Sequence, residues 1–354
     1  VAPSFDDFFV STTSEPWINQ TDTKALVKAL SESVPTNVTV KMKTVFMGVD
    51  NADAPTRVRI QTNGSDAEDV GLKFLVGADG SRSRVAATIK GLDQNTNLLF
   101  GYEQVFFGDV DLGPNPAETI YHIWFGEFSL GYGGWLSPTI VDGRKAFRIG
   151  LAKLMKDRSE ATGLMKKFIQ ILLERKTISI DGEINKPGYV FGSMIPIGGA
   201  RKRVSVNNVL LIGDAAGYCG AFAADGIKGS VISGKEAAML IDQYLSGDAL
   251  APARLPQRME AHGGMMGYYW RQKHYRFIWD QMRSDRSFKA MYDIIEAEHE
   301  TFLDQFCDAK DTRRSLAWTV LKVRHAFKLC KYAFYILADM VGESVNFFRQ
   351  EKRG

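Results

Sequence analysis

The stretch from residue 209 to residue 238 places the strongest constraint on how this chain can fold. Its opening run, VLLI at 209–212, is apolar and long enough for a buried strand. The small residues GDAAG follow at 213–217, and a helix is expected from about Gly226, with apolar positions at Ile227, Val231, Ala237 and Ala238. Such a strand–turn–helix lets a ligand approach the backbone, and the helix N-terminus favours an anion. The same pattern also fits an ordinary turn with small packing residues.

A second stretch repeats this arrangement earlier in the chain. Residues 74–85 read FLVGADGSRSRV, an apolar strand that ends in Gly77, Asp79 and Gly80. This segment resembles the "DG" motif of flavin-dependent oxidoreductases built like the aromatic hydroxylases. The segment 213–217, together with Gly226 and Ile227, resembles their "GD" motif, and the order and spacing of the two motifs also fit. Within that superfamily the chain looks most similar to the geranylgeranyl reductases, with flavin-dependent halogenases as cousins.

The resemblance implies an α/β (α+β mixed) fold, in which a Rossmann-like FAD/NAD(P)-binding domain is interleaved with an antiparallel substrate sheet and followed by a helical C-terminal region. It implies FAD as the cofactor, with NAD(P)H or another electron donor as the reductant. The residues expected to bind FAD are Asp79, Gly80, Gly213, Asp214, Ala215, Ala216, Gly217, Gly226 and Ile227. In the loop at 218–225, which by resemblance faces the flavin ring, Ala221 replaces a frequent Pro and Ala224 a frequent Gly.

A flavoprotein of this type normally opens with a strand, a G-x-G-x-x-G turn and a helix that bind the pyrophosphate. No such pattern precedes Asp79. One expectation is therefore that the chain is the larger C-terminal part of a flavoprotein whose first βαβ unit is absent from it. The other is a degenerate relative that acts only as a non-catalytic scaffold.

Four regions are predicted along the 354 residues. The FAD-binding domain takes residues 1–95 and resumes at 191–250 with the GD motif. Between its two parts, residues 96–190 form an antiparallel-sheet substrate domain, since short aromatic-rich strands recur there. Strands are expected at 38–49 and 56–62, and an amphipathic helix at 159–175. Two X-Pro pairs at 251–256 mark the start of the fourth region, residues 251–354, which reads as helical from Met259 onward.

Three residues are candidates for catalysis. Tyr132 and Trp135 lie in the segment GYGGWLSP at 131–138, which resembles a reductase motif of Tyr, Trp and Pro but has two glycines between its aromatic residues. Core packing within the sheet explains these aromatic residues equally well. Cys219 follows the GD motif and fits a redox or proton-donor role, although a buried cysteine that acts as a small hydrophobe is more common.

Composition excludes several other classes. The formal net charge of +3 gives no general case for nucleic acid binding. Three cysteines, Cys219, Cys307 and Cys330, show neither zinc spacing nor a disulfide framework, and the histidines show no metal spacing. A cytoplasmic location is expected. The apolar stretch at 316–341 carries too many charges for a transmembrane span, so it is expected either to pack against the substrate domain or to make a peripheral membrane contact through which a lipid substrate enters.

The sequence therefore predicts an FAD-dependent oxidoreductase that acts on a small-molecule or lipid substrate. Many aromatic residues and few obvious polar anchors between 98 and 152 favour a long apolar tunnel, and hence reduction of C=C bonds in an isoprenoid or similar chain. A flavin-dependent monooxygenase or halogenase is the alternative. The identity of the substrate and of the electron donor stays open.

Overall fold

The computed structural model describes residues 3–5, 23–111, 122–124, 133–298 and 321–351. Its helices are α1 Thr23–Glu32, α2 Arg84–Thr88, α3 Ala161–Glu174, α4 Ile227–Leu245, α5 Leu255–Ala261, α6 Met265–Trp279, α7 Asp285–Glu296 and α8 Ala326–Glu351. Its strands are β1 Thr44–Val49, β2 Arg57–Thr62, β3 Glu68–Gly71, β4 Leu75–Gly77, β5 Leu98–Val110, β6 His122–Trp124, β7 Gly133–Val141, β8 Arg144–Leu154, β9 Ile178–Ile180, β10 Tyr189–Pro196, β11 Ser205–Val206 and β12 Val209–Leu211. The predicted mixed α/β class is confirmed.

The described strands form three sheets. A small antiparallel sheet has the order β1-β2-β3, and the largest sheet has the order β10-β5-β8-β7-β6, with β9 paired to one end of β5. A third sheet has the order β11-β12-β4, and β12 runs parallel to β4. Parallel neighbours end at the same edge of a sheet, so this third sheet decides where the two motif turns meet.

The largest sheet buries one face against α3. Side chains alternate along a strand, so Phe147, Ile149 and Leu151 of β8 share the side that packs on Phe168 and Leu172 of α3. All five side chains are fully buried. The opposite face of this sheet carries Trp135 and Glu103, and it continues toward the motif turns through β10.

Three sequence expectations need correction. Only residues 44–49 of the strand expected at 38–49 are extended, because residues 38–43 are exposed and lack a partner strand within the described residues. The helix expected at 159–175 begins with a 3-10 segment, Met155–Glu160, and becomes α-helical at Ala161. In α4 the predicted apolar positions Ile227 and Val231 are 66% and 63% exposed. The buried side of α4 instead carries Gly229, Ser233, Glu236, Ala237 and Leu240, because small residues let it lie close to the motif turn.

The C-terminal helices contribute side chains to two separate hydrophobic clusters. Leu255 and Met259 of α5 and Tyr268 and Tyr269 of α6 belong to the same buried cluster as β12 and the turn after it. The expected boundary at residue 250 therefore does not separate one core from another. Phe288 of α7 and Tyr332 of α8 form a further cluster. None of the helices in the described part of the chain is long and apolar enough to cross a membrane.

Candidate functional site

The two motif turns leave the third sheet at the same edge. Leu211 of β12 pairs in parallel with Gly77 of β4, and the amide of Ile212 donates to the Gly77 carbonyl at 3.0 Å. The turn at 78–83 and the turn at 213–217 therefore start side by side. This is the edge at which ligands bind in parallel α/β sheets.

The turn at 213–217 consists of small residues, which let its backbone pack closely against neighbouring segments. Gly217 has a φ of 72°, and a Cβ atom at this position would lie 2.5 Å from the Gly199 carbonyl oxygen, so only glycine fits. The side chains of Ala215 and Ala216 are buried in the core. Of the residues expected to bind FAD, these two can therefore offer only backbone groups, as Gly213 can.

Asp214 carries the distinctive chemistry of this edge. Its Oδ1 atom is buried and has no hydrogen-bond partner among the described residues, while its Oδ2 atom lies 3.4 Å from the Ser81 hydroxyl. Burial raises the pKa of this carboxyl, and the hydrogen bond from Ser81 opposes that effect. Asn95 holds the backbone by donating to the Asp214 carbonyl at 2.7 Å. A buried acceptor without a donor is costly, so Asp214 is suited to a ligand hydroxyl.

The backbone of Gly226, the residue before α4, packs directly against Asp214. A Cβ atom at Gly226 would lie 2.8 Å from Asp214 Oδ1. No side chain caps the N-terminus of α4, and the positive end of its dipole favours an electron-rich acceptor there. Ile227, the first residue of α4, projects into solvent.

The carboxyl of Asp79 has different hydrogen-bond partners from that of Asp214. Its Oδ2 atom accepts the backbone amides of Arg84 at 2.6 Å and Val85 at 3.1 Å, at the start of α2. Gly80 turns the chain there with a φ of 79°. The adjacent Ser81, rather than Asp79, provides the side-chain link between the two turns. A flavin contact of Asp79 remains a prediction.

The loop between the second turn and α4 rests on α6, which the sequence reasoning missed. The Gln272 Oε1 atom accepts the amides of Phe222 and Ala223 at 3.1 and 2.9 Å. The rings of Tyr218 and Tyr269 stack with their centroids 5.7 Å apart. The only sequence signal was a glutamine on a helix otherwise rich in aromatic residues, and its partner 50 residues away was not readable.

Cys219 lies in this loop and is 2% exposed. Burial, and then the charges of Asp214 and Asp225, raise the pKa of its thiol well above the ordinary value. A thiol that stays protonated is a poor nucleophile and a poor redox group. This environment supports the alternative in which Cys219 is a small packing residue.

Trp135 lies in a glycine slot on the large sheet. A Cβ atom at Gly150 would approach its indole ring to 2.1 Å, so the ring lies flat against the backbone of β8. The indole N–H donates to Glu103 Oε2 at 2.7 Å. Tyr132, its expected companion, lies outside the described residues.

Glu103 also binds Arg148, through hydrogen bonds of 2.9 and 3.1 Å to its two carboxylate oxygens. The expectation of few polar anchors between residues 98 and 152 was therefore incomplete. The sequence separates Glu103 and Arg148 by 45 positions, and antiparallel pairing of β5 with β8 brings them together.

The sheet and the motif turns are joined through β10. The Ser81 hydroxyl lies between two acceptors, the Asp214 carboxyl and the Met194 carbonyl, and its single hydrogen is shared between them. The neighbouring Ile195 approaches Gly101, and so does the far edge of the Trp135 ring. The ring of Trp135, which lies on β7, therefore reaches as far as β5, the strand next to β10. No three His, Cys, Asp or Glu side chains within the described ranges are grouped as a metal site would require.

Ala224 gives a direct test of the loop conformation. Its φ is 55°, in the left-handed region that favours glycine. We expect Ala224→Gly to raise the free energy of unfolding by about 1 kcal/mol, measured by urea denaturation. The control is Ala223→Gly, whose φ is not positive and which should lower stability by about 0.5–1 kcal/mol. Equal effects of the two changes would contradict the left-handed assignment.

Comparison with known proteins gives reductases among the sequence relatives of this chain. No family model matches the chain. It is 25% identical over 218 residues to digeranylgeranylglycerophospholipid reductase 2 of Methanosphaera stadtmanae, covering 56% of the chain and 52% of the relative. It is 27% identical over 182 residues to menaquinone reductase of Mycobacterium tuberculosis, covering 50% and 43%. The chain thus spans about half the length of the curated relatives it matches.

Solved structures show the same fold. A geranylgeranyl bacteriochlorophyll reductase-like protein of Thermoplasma acidophilum matches with a TM-score of 0.58 and 16% identity, over 80% of the chain and 66% of that protein. A flavin-dependent brominase variant matches with a TM-score of 0.50 and 15% identity, over 87% and 73%. Together with the sequence relatives, these matches confirm the resemblance stated from the two motifs.

Proposed function

We propose that this chain, a relative of the FAD-dependent oxidoreductases of the geranylgeranyl reductase family, binds FAD and reduces C=C bonds of an isoprenoid or similarly apolar substrate. One observation carries the proposal. The buried, unpartnered Oδ1 atom of Asp214 lies at the carboxyl edge of two parallel strands, where the DG-like and GD-like turns start side by side. A hydroxyl group of bound FAD would supply the donor that this oxygen lacks.

The residues present fit such a cofactor. Gly226 lets the N-terminus of α4 lie directly against Asp214, and the positive end of the α4 dipole at this point, with no side-chain cap, would favour an electron-rich acceptor. Bound FAD, once reduced by NAD(P)H or another donor, would supply the hydride for the reaction. The chain itself would bind and orient the cofactor through Asp214 and the turn backbone, and would exclude water from the reacting groups.

The large sheet would supply the substrate surface. Trp135 presents a flat ring that is held by the Gly150 slot and by Glu103, so little side-chain freedom is lost when an apolar chain packs on it. Its far edge reaches β5, the strand next to β10, and β10 contacts Ser81 through the Met194 carbonyl. This proximity of the Trp135 ring to the motif turns supports a substrate that lies between the sheet and the cofactor.

A flavin-dependent monooxygenase is the second candidate, because one observation favours it. Arg148 and Glu103 place charged groups on the same sheet face as Trp135, and a small polar substrate needs such anchors for orientation. The two candidates require different co-substrates, so they can be separated directly.

The deciding experiment is anaerobic. The FAD-loaded protein, reduced with dithionite, is mixed with a geranylgeranyl lipid, and the mass of the lipid is followed. A gain of hydrogen pairs without oxygen supports the reductase. Turnover that appears only with oxygen, with an added oxygen or halogen in the product, would show that the reductase proposal is wrong.

Asp214→Ala tests the cofactor site. Loss of a hydrogen bond to a charged acceptor costs about 1.5–3 kcal/mol, so we expect FAD to bind about 10- to 150-fold more weakly in a flavin fluorescence titration. Stability without FAD should not fall, because the change removes a buried carboxylate oxygen that lacks a partner. Asp242→Ala, an exposed aspartate on α4, is the matched control. Unchanged FAD affinity in the Asp214 variant would contradict the assignment.

A further inference from the structure

Asp225 is a buried carboxyl that the proposed function leaves without a role. It ends the loop at 218–225, and its Oδ2 atom accepts the Tyr268 hydroxyl of α6 at 2.8 Å. Its Oδ1 atom is buried and has no partner in the described part of the chain. A Cβ atom at Gly220 would lie 1.9 Å from this oxygen, so the carboxyl is packed against the backbone of its own loop.

The position of Asp225 is fixed from two sides. The amide of Gly220 donates to the Asp225 carbonyl at 3.3 Å, which closes the loop on itself. On α6, one turn after Tyr268, Gln272 holds the amides of Phe222 and Ala223. Gln272 is 1% exposed, so these bonds are shielded from water and hold the loop firmly.

The groups around Asp225 come from three elements. Asp214 and Cys219 belong to the motif turn and the loop, Lys228 lies on α4, and Tyr268 and Tyr269 lie on α6. Burial raises the pKa of the Asp225 carboxyl to about 6, while the Tyr268 hydroxyl and the charge of Lys228 oppose this shift. Asp225 therefore changes charge within the pH range in which proteins work.

We propose that Asp225 is a positioning residue which carries a titratable carboxyl in the flavin-facing loop, held there by Tyr268 and Gln272, so that the environment of the bound flavin changes with its ionisation. This inference rests on the proposed function, because it requires flavin beside this loop. When Asp225 is neutral, the loop presents a carboxyl that can donate a proton. When it is ionised, the loop carries a negative charge that disfavours a negatively charged flavin ring nearby.

The test follows the visible absorption spectrum of bound oxidised FAD between pH 4.5 and 8.5. In the unmodified protein we expect a spectral shift with a midpoint near pH 6. Asp225→Asn keeps the size of the side chain and should abolish the shift. Tyr268→Phe and Lys228→Gln each remove a group that favours the ionised carboxyl, so both should move the midpoint to higher pH. Asp242→Asn, on the exposed side of α4, should leave it unchanged.

The outcomes separate this inference from the proposed function. A shift that persists in Asp225→Asn would assign the titration to another group, and a spectrum independent of pH in FAD-loaded protein would also overturn the inference; either result leaves the proposed function intact. A protein that takes up no FAD at any pH would overturn both. If Tyr268→Phe does not fold, Lys228→Gln supplies the same upward movement of the midpoint, and its absence there would count against the inference.

Discussion

Without FAD, the protein should lose about 3 kcal/mol of its free energy of unfolding between pH 4 and pH 8 because of Asp225 alone. Folding raises the pKa of this carboxyl from 3.8 to about 6, so the folded state binds the proton more tightly than the unfolded state. The contribution is fully present below about pH 4 and is lost as the pH rises through about 6. A difference of about two pKa units corresponds to about 3 kcal/mol.

Asp225→Asn isolates this effect. The amide cannot ionise, so the variant should exceed the unmodified protein in stability by about 2–3 kcal/mol at pH 8 and match it near pH 4. Urea denaturation at a series of pH values measures the free energy of unfolding of both proteins. Because the other carboxyls titrate alike in both, their contribution cancels in the difference. Asp242→Asn serves as the control. Parallel stability curves for Asp225→Asn and the unmodified protein would show that Asp225 is not buried as the structure describes.

Removal of Glu103 should produce the second large effect. Its side chain is 11% exposed, and it accepts hydrogen bonds from both Arg148 and the indole N–H of Trp135. Glu103→Ala removes the acceptor for a partly buried guanidinium and for the indole group. We expect a loss of about 2–4 kcal/mol in urea denaturation, somewhat below the cost at a fully buried pair because Arg148 reaches water.

A double-mutant cycle separates this ion pair from general packing. Glu103→Gln keeps an acceptor of nearly the same size and should cost only about 1–2 kcal/mol. Combining it with Arg148→Met should give a coupling energy of about 1 kcal/mol or more, because the two residues are in contact. Additive effects of the two changes, or a Glu103→Ala variant within 0.5 kcal/mol of the unmodified protein, would contradict the network.

The same network bears on substrate choice. Reduction of an apolar chain and hydroxylation of a polar ring differ in their need for fixed charges near the substrate. If the reductase proposal is right, Glu103 and Arg148 serve mainly to hold Trp135 flat, and variants at Arg148 should alter stability more than substrate affinity. If oxygen-dependent turnover is found instead, Arg148 becomes the first candidate for a substrate anchor.

The sequence by itself determined the features that are local. The apolar run at 209–212, the small residues after it and the similar segment at 74–85 predicted two strand–turn units, and both strands are present as β12 and β4. A left-handed backbone at position 217 favours glycine within the turn itself, although the contact with the Gly199 carbonyl oxygen that excludes a larger residue is tertiary. The family resemblance and the mixed α/β class depended on these short segments, and the comparisons support both.

Only the tertiary structure decided how distant side chains share the site. Asp79 and Asp214 follow similar apolar runs, yet Asp79 accepts the first two amides of α2 while Asp214 keeps an unpartnered oxygen. Gln272 and Tyr268 reach the loop from a helix about 50 residues away, and Glu103 meets Arg148 across 45 residues of chain. Contacts between residues far apart in the chain leave no repeating pattern in the sequence, so a sequence pattern cannot reveal them. For that reason the motif turns were readable from the sequence, whereas the support of the loop by α6 and the charge behaviour of Asp225 were not.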